Sequence, residues 1–458
     1  MIEFINKYVF GAAVPVLLIL AGIFYTLRLR AFHIFKLPSL TRALTRKSEG
    51  DGISPFRAVT LALAGTLGVG NIVGVAAAIG LGGYGSIFWM WISALCAMLL
   101  KYSEIVLAMR HRRYDPSGAP HGSAMHYIKD MFDSLSLPRI GKTVASVFAL
   151  LCILNAISMG SMIQANAISE SLGGVFGIHP LICGATLALT GGIIISRGTE
   201  GISKFTEILV PLMTLGYLII SIAVLIIRRD MLTWALSRIV YDAFSPEATA
   251  GGVTGFILSR QLRYGVMRGL ISNEAGCGTA PAAHSSSNAK LPAEQGFWGI
   301  FEVFADTILL CTVTALVIIV GFDGASYGES WIMVTVRAYS AVLGGGAEIF
   351  LCGAVLCFGF ATIICWAHYG IESVSYLSPR KGYKNLFIIT YCASILVGAF
   401  PLSDAIWSVA DFAIGAMTLI NVSVICFMSR EVKQETELYF AKASISKKAR
   451  RIRAQKRR

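Results

Sequence analysis

Two stretches decide how the chain is read: Gly65-Thr66-Leu67-Gly68-Val69-Gly70-Asn71 and Ser272-Asn273-Glu274-Ala275-Gly276-Cys277-Gly278. Both interrupt long apolar segments. A glycine in a helix interior costs roughly 1 kcal/mol relative to alanine, and the first stretch holds Gly65, Gly68 and Gly70 within one and a half turns. Close packing of small residues, as in Gly70-x-x-x-Gly74, accounts for any single glycine. It accounts less well for two glycine-rich stretches, each with an Asn, at matching places in the chain. The pattern predicts two membrane-spanning helices, each broken partway across.

The surrounding composition fits this setting. Of 458 residues 55% are apolar and 14% charged, with a mean hydropathy of +0.68, too little charge to cover a soluble protein of this length. The predicted fold class is an all-α integral membrane protein with about 11 transmembrane helices, since about 20 apolar residues span a bilayer core. The segments are 8–27, 55–80, 85–109, 143–169, 178–196, 203–227, 253–285, 294–321, 347–378, 385–400 and 404–428. Stretches 122–133, 231–243 and 329–343 read as amphipathic interfacial helices. Segment 8–27 is long for a signal-peptide core and lacks a small-residue cleavage site, so it reads as a retained helix.

Charge orients these segments. Lys and Arg concentrate in 28–57, 110–142, 380–384 and 430–458, which alternate as cytoplasmic; the N-terminus then faces outward and the C-terminus inward. Arg228, Arg229 and Arg238 fall on the outer side against this trend. The formal net charge of +13 owes much to eight Lys or Arg between Lys447 and Arg458. Such a tail beyond a last span marks the cytoplasmic side and can meet anionic lipid; nucleic acid is not an expected partner. The ten cysteines have neither metal-ligand spacing nor a disulfide framework.

Leaving out segment 8–27, ten segments divide into five and five, and starts near 85, 178 and 203 are echoed near 294, 385 and 404. An odd number forces the second unit to be inverted. The expected organisation is an N-terminal helix and linker (1–54), a first five-helix repeat (55–227), an inverted second repeat (228–428) and a basic tail (429–458). The breaks fall in the first helix of each unit, the discontinuous first and sixth core helices of an inverted-repeat transporter.

A broken helix frees backbone groups that lipid cannot satisfy. The half-helix starting near Gly70 and Asn71 offers N–H groups and a positive dipole end to a carboxylate. Carbonyls near Leu270 to Asn273 can receive an ammonium or a cation. An α-amino acid carries both charges close together. Glu274 and Asp306 are acids at membrane depth, open to either a cation or a structural role, with Arg268 as a candidate partner of Glu274. Gln164 and Asn166 on one apolar helix, and Thr362, Trp366 and Tyr369 on its counterpart, are candidate pocket walls or interhelical contacts. Gly80-Leu81-Gly82-Gly83-Tyr84-Gly85 matches a dinucleotide fingerprint by spacing but has no preceding strand, and Gly141-Lys142-Thr143 lacks the first P-loop glycine. The chain is not expected to be an enzyme or to hold a prosthetic group, and its energy source is expected to be an ion gradient.

Ala64 to Trp91 (with GTLGVGNIVGV and GSIFWMW), Arg268 to Ala283 (RGLISNEAGCGTAPAA), IQAN at Ile163 to Asn166, FADTI at Phe304 to Ile308 and TIICWAHYGIE at Thr362 to Glu372 together resemble the alanine or glycine:cation symporters. The resemblance covers nearly the whole transporter core. It implies a fold like the bacterial leucine transporter with one extra N-terminal helix, and uptake of alanine or glycine with Na+ in a multi-pass prokaryotic inner-membrane protein. It carries substrate binding onto Thr66, Gly70, Asn71, Gln164, Ile271, Asn273, Thr362 and Trp366, and sodium onto Thr362 with carbonyls near Thr66 to Val69. Ala361 stands where a second hydroxyl is expected and Ile271 where a Phe is expected; Cys277 and His284 also depart from the motif. These departures keep H+ coupling and another small neutral amino acid open as an alternative; an amino-acid receptor that does not transport is a separate one. The oligomeric state is left open.

Overall fold

The computed structural model describes residues 6, 10–45, 52–114, 118, 120–244, 260–321 and 330–455. In chain order the main helices are α1 (Gly11–Arg28), α2 (Pro55–Thr66), α3 (Val73–Gly82), α4 (Gly85–Arg110), α5 (Ala124–Ser134), α6 (Pro138–Phe176), α7 (Pro180–Ile195) and α8 (Gly198–Ile227). They continue as α9 (Arg229–Ala243), α10 (Arg260–Asn273), α11 (Ala280–His284), α12 (Pro292–Gly321), α13 (Trp331–Leu343), α14 (Gly346–Leu377), α15 (Lys381–Gly398), α16 (Asp404–Phe427) and α17 (Ser429–Gln455). Two-residue strands β1 (Arg113–Tyr114) and β2 (Pro120–His121) pair antiparallel in the loop after α4. Residues 8 and 9 of the first predicted segment, 253–259 of another, 46–51, 115–117 and 119 of the basic loops, residue 329 of an amphipathic stretch and the last three residues of the basic tail lie outside the described residues.

Local sequence explains several boundaries. Proline opens α2, α6, α7 and α12, where its missing N–H costs nothing and its φ suits a first turn. Ser54 caps α2, its Oγ accepting from the Arg57 N–H at 3.2 Å.

Burial separates a centre from a periphery. α4 is buried along nearly its whole C-terminal half, whereas α8 exposes Ile208, Leu212, Leu215, Ile219, Ile222 and Ile226. That alternating three- and four-residue spacing forms a continuous apolar stripe, a face suited to lipid. Among the described residues, six helices can cross a membrane by length and composition, and a seventh if the bent pair α2/α3 counts as one span. Each predicted segment has helix beneath it, but α1 and α7 are short apolar helices and α10 stops at Asn273. The protein is therefore a multi-pass helical membrane protein. Its two interrupted helices lie together at the centre, α10 packing along α3 and α4 and α14 packing against α2.

Candidate functional site at two helix breaks

At the first break Leu67 N–H closes α2 on Leu63 O at 2.7 Å, one 3-10 turn follows at Val69–Asn71, and the chain resumes as α3 bent by 60°. Gly68 permits the crowding here: a Cβ would stand 2.6 Å from Thr362 Oγ1 and 3.1 Å from Gln164 Oε1. The Thr362 hydroxyl donates to Ala64 O or Phe358 O, each 3.0 Å away. Gln164 Oε1 accepts from the Val69 N–H at 3.2 Å, and its amide donates to Met159 O at 3.1 Å within a π-helical turn of α6. The tight turn uses amides that the sequence reading left free. Asn71 N–H donates to Gly68 O at 3.3 Å, so it is not an open anion donor.

At the second break α10 stops at Asn273 and the backbone turns left-handed at Glu274 (φ 51°), Gly276 (83°) and Gly278 (77°). For a Glu this region is strained by roughly 1–3 kcal/mol and persists only when its surroundings hold it. They do so from three helices. The Trp366 indole N–H on α14 donates to Glu274 Oε1 at 3.1 Å, and Thr279 Oγ1 donates to Glu274 Oε2 at 2.6 Å. Gly278 N–H reaches Glu104 Oε2 on α4 at 3.0 Å, and Asn421 Nδ2 on α16 reaches Gly276 O at 2.9 Å. Glu274 is thus held by Trp366 and Thr279, and not by Arg268 as the sequence spacing suggested.

Asp306, in a second π-helical turn on α12, ties the breaks together. Its carboxylate accepts from Asn71 Nδ2 at 2.6 Å at the first break, and from Ser272 Oγ at 2.8 Å at the second. It also accepts from its neighbour Thr307 Oγ1 at 2.7 Å, and Thr307 Oγ1 in turn accepts from Asn273 Nδ2 at 3.1 Å. Asp306 is fully buried, and Asn71 Oδ1 beside it is buried with no donor among the described residues. The result is an oxygen-rich cluster around a membrane-depth carboxylate.

Next to this cluster opens a cavity of about 380 Å³. Val69, Gly70 and Ile271 line it at the breaks, Met159, Ile163 and Gln164 on α6, and Arg268, Trp331, Trp407 and Asp411 farther along. Of the eight predicted pocket residues, Gly70, Gln164 and Ile271 line this cavity; Thr66, Asn71, Asn273, Thr362 and Trp366 do not, and are packed behind it. Asn71 and Asn273 turn toward α12, Trp366 toward Glu274, and Thr362 toward the end of α2. Asn166 lines the cavity while donating to Phe400 O at 2.9 Å.

The sequence reading missed a buried ionic network. Lys101 on α4 lies 3.2 Å from Glu302 on α12, both fully buried. Glu302 also meets His284 Nε2 at 3.0 Å, and Gln295 Nε2 meets His284 Nδ1 at 2.7 Å. Glu104, one turn from Lys101, accepts the Gly278 N–H and the Asn421 amide. Lys101 and Glu104 were visible as charges inside an apolar segment, which is signal enough to single them out.

The model of the family described as "Sodium:alanine symporter family" matches residues 1–453. The chain belongs to the sodium:alanine symporter family. Among relatives of this symporter, the sodium/alanine symporter AgcS of Methanococcus maripaludis is 34% identical over 450 residues, covering 96% of each chain. A probable sodium/glutamine symporter, GlnT of Bacillus subtilis, is 31% identical over 430 residues, 93% of this chain and 87% of that one. The symporter's fold is similar to MhsT, solved in complex with L-phenylalanine, with a TM-score of 0.56 at 14% identity over 85% of this chain and 93% of that one. The protein is a membrane transporter rather than an enzyme, and family membership implies an amino acid and Na+ as its cargo.

Proposed function

We propose that this symporter imports alanine or glycine with Na+ by alternating access around the two breaks. The observation carrying this reading is Asp306, which joins Asn71 at one break to Ser272 at the other beside an amino-acid-sized cavity. A charge at membrane depth costs roughly 2.5–3.5 kcal/mol on insertion scales, and a co-transported cation offsets that cost. Asp306, Thr307, Ser272 and the unpartnered Asn71 Oδ1 are its nearest oxygens in this reading. Thr362 with the carbonyls of Thr66 and Val69 forms a second candidate cation locus, and Ala361, buried beside it, leaves that locus one hydroxyl short.

The amino acid lies in the cavity with its carboxylate toward Gly70 and its ammonium toward the carbonyls before Asn273. Thr66, Asn71, Gln164, Asn273, Thr362 and Trp366 hold the walls, directly or from behind. The layout that accompanies this reading is 11 spans: an N-terminal helix (1–54), inverted five-helix units (55–227 and 228–428) and a cytoplasmic tail (429–458), in a prokaryotic inner membrane with the N-terminus outside. Each unit moves against the other around the shared site.

Proton coupling is the second reading, favoured by the fully buried Lys101–Glu302–His284 network beside the second break. Radiolabelled alanine uptake into proteoliposomes decides between them. Accumulation driven only by an inward Na+ gradient supports the main reading, and accumulation driven only by an inward H+ gradient replaces it with the second. Alanine binding without uptake or counterflow would leave a receptor.

A further inference from the structure

We propose that Arg268 and Asp411 form a side-chain subsite for a carboxamide, so that this chain also takes glutamine-like amino acids. This rests on the reading of the breaks as an amino-acid site. Arg268 on α10 and Asp411 on α16 line the 380 Å³ cavity, and both also line an adjoining cavity of about 350 Å³, with Ile271 as the third shared residue. They stand at the junction of the two cavities. Neither makes a hydrogen bond or ion pair with any described residue, although Arg268 is the basic group whose field reaches Asp411. Two half-buried groups of opposite charge therefore face shared space without satisfying each other.

Chemistry narrows what satisfies both. A carboxamide offers a carbonyl acceptor to the guanidinium and an N–H donor to the carboxylate from one neutral group. An acidic side chain pairs with Arg268 but is opposed by Asp411 and by Glu170 on the same cavity. A basic side chain meets the reverse conflict at Arg268. An apolar side chain of the same length strips water from both charges and returns no hydrogen bond.

Length agrees with the chemistry. Arg268 precedes Ile271 by three residues on one face of α10, a rise of about 4.5 Å. The amide carbon of glutamine lies roughly 4 Å from its Cα when the side chain is extended. The methyl of alanine stops well short of that level, so alanine occupies the cavity floor and leaves Arg268 and Asp411 to water. Trp331 and Trp407 supply flat apolar walls for the intervening methylenes.

The test uses the full chain in proteoliposomes under one Na+ gradient. Labelled alanine and labelled glutamine uptake are measured in parallel, with glutamine and norleucine as competitors; norleucine has a side chain of similar length without the amide. The expected result is glutamine accumulation, and competition by glutamine at least tenfold stronger than by norleucine. Arg268→Met and Asp411→Leu should each raise the ratio of the glutamine to the alanine inhibition constant at least tenfold. That ratio is independent of how much variant protein folds. Glutamine accumulation without alanine accumulation removes alanine from the proposed function and keeps the subsite. Alanine accumulation with glutamine no better than norleucine overturns the subsite alone, and uptake of neither amino acid overturns both. A proportional loss of both substrates in the two variants also overturns it, because the pair would then govern access and not selectivity.

Discussion

Asp306 concentrates the electrostatic problem of the site in one side chain. It is fully buried on a helix that crosses the molecule, and its hydrogen bonds come from neutral donors, Asn71, Ser272 and Thr307. Neutral donors stabilise a carboxylate but leave its net charge in place, which is the condition a bound cation relieves. Asp306→Asn keeps an oxygen for the donors and removes the charge. It is expected to raise the Na+ concentration for half-maximal uptake at least tenfold with little change in folding. A sodium titration of proteoliposome uptake measures this, and an unchanged curve would place the cation elsewhere. Trp366 acts differently, because its indole N–H holds Glu274 in a left-handed conformation. Trp366→Phe leaves a buried carboxylate oxygen without that donor, a loss of about 1–3 kcal/mol. The purified variant should melt earlier than the parent in detergent; equal melting curves would mean that the bond contributes nothing to stability.

The broken helices show how closely function depends on backbone approach. Gly68 and Gly70 are two residues apart, yet their surroundings differ. A Cβ at Gly68 meets Thr362 Oγ1 at 2.6 Å, whereas at Gly70 the nearest atom is Ser272 Cα at 3.8 Å. Gly68→Ala should therefore push α14 and α6 away from the first break and lower both stability and uptake. Gly70→Ala should fold normally and still weaken alanine binding severalfold, because the added methyl enters the cavity that Gly70 lines. Melting curves and equilibrium alanine binding on the two variants separate these outcomes, and matching behaviour would refute the distinction. The positions of both breaks were legible in the sequence, since glycine density inside an apolar run is a local signal. What each break holds onto was less so. Arg268 is six residues from Glu274 and looked like its partner, but the break intervenes and turns Glu274 toward Trp366 and Thr279, leaving Arg268 to the cavity. Lys101 and Glu302 pair across two hundred residues of chain, a contact that hydrophobic period and spacing do not encode. Gln164, Gly70 and Ile271 line the cavity, while the Asn71 amide is drawn to the Asp306 carboxylate and the Asn273 amide to the Thr307 hydroxyl on α12.

At the scale of the whole molecule, the end of α4 is tied to α5 and to α17 by a knot of charges. His111 lies between Asp130 on α5 and Glu431 on α17, with Nδ1 2.8 Å from Asp130 Oδ2 and Nε2 3.0 Å from Glu431 Oε2. Arg110 adds contacts to Glu431 at 2.8 Å and Glu435 at 2.9 Å, and Arg113 reaches Asp130 at 2.7 Å. Burial alone would lower the pKa of His111, but its bonds to the two carboxylates outweigh burial and raise it to about 9. Burial likewise raises Asp130, and the bonds to His111 and Arg113 reverse this and hold it below its ordinary value; the His111 bond does the same for Glu431. The signs then set a window. A histidine raised in the folded state contributes stability that is complete below its unfolded pKa of about 6.5 and lost as pH rises through about 9. The two depressed carboxylates contribute stability present above about pH 4 and lost as pH falls through their folded values. The attachment of α17 should therefore be firmest between about pH 5 and 6.5 and loosen toward pH 9.5, with the Arg110 contacts remaining. Hydrogen exchange of α17 amides, corrected for intrinsic rates, should show protection falling across that upper range in the parent protein. In His111→Gln, protection at pH 6 should already be reduced and the fall with pH absent. A fall of equal size in the variant would assign the pH response to some other group.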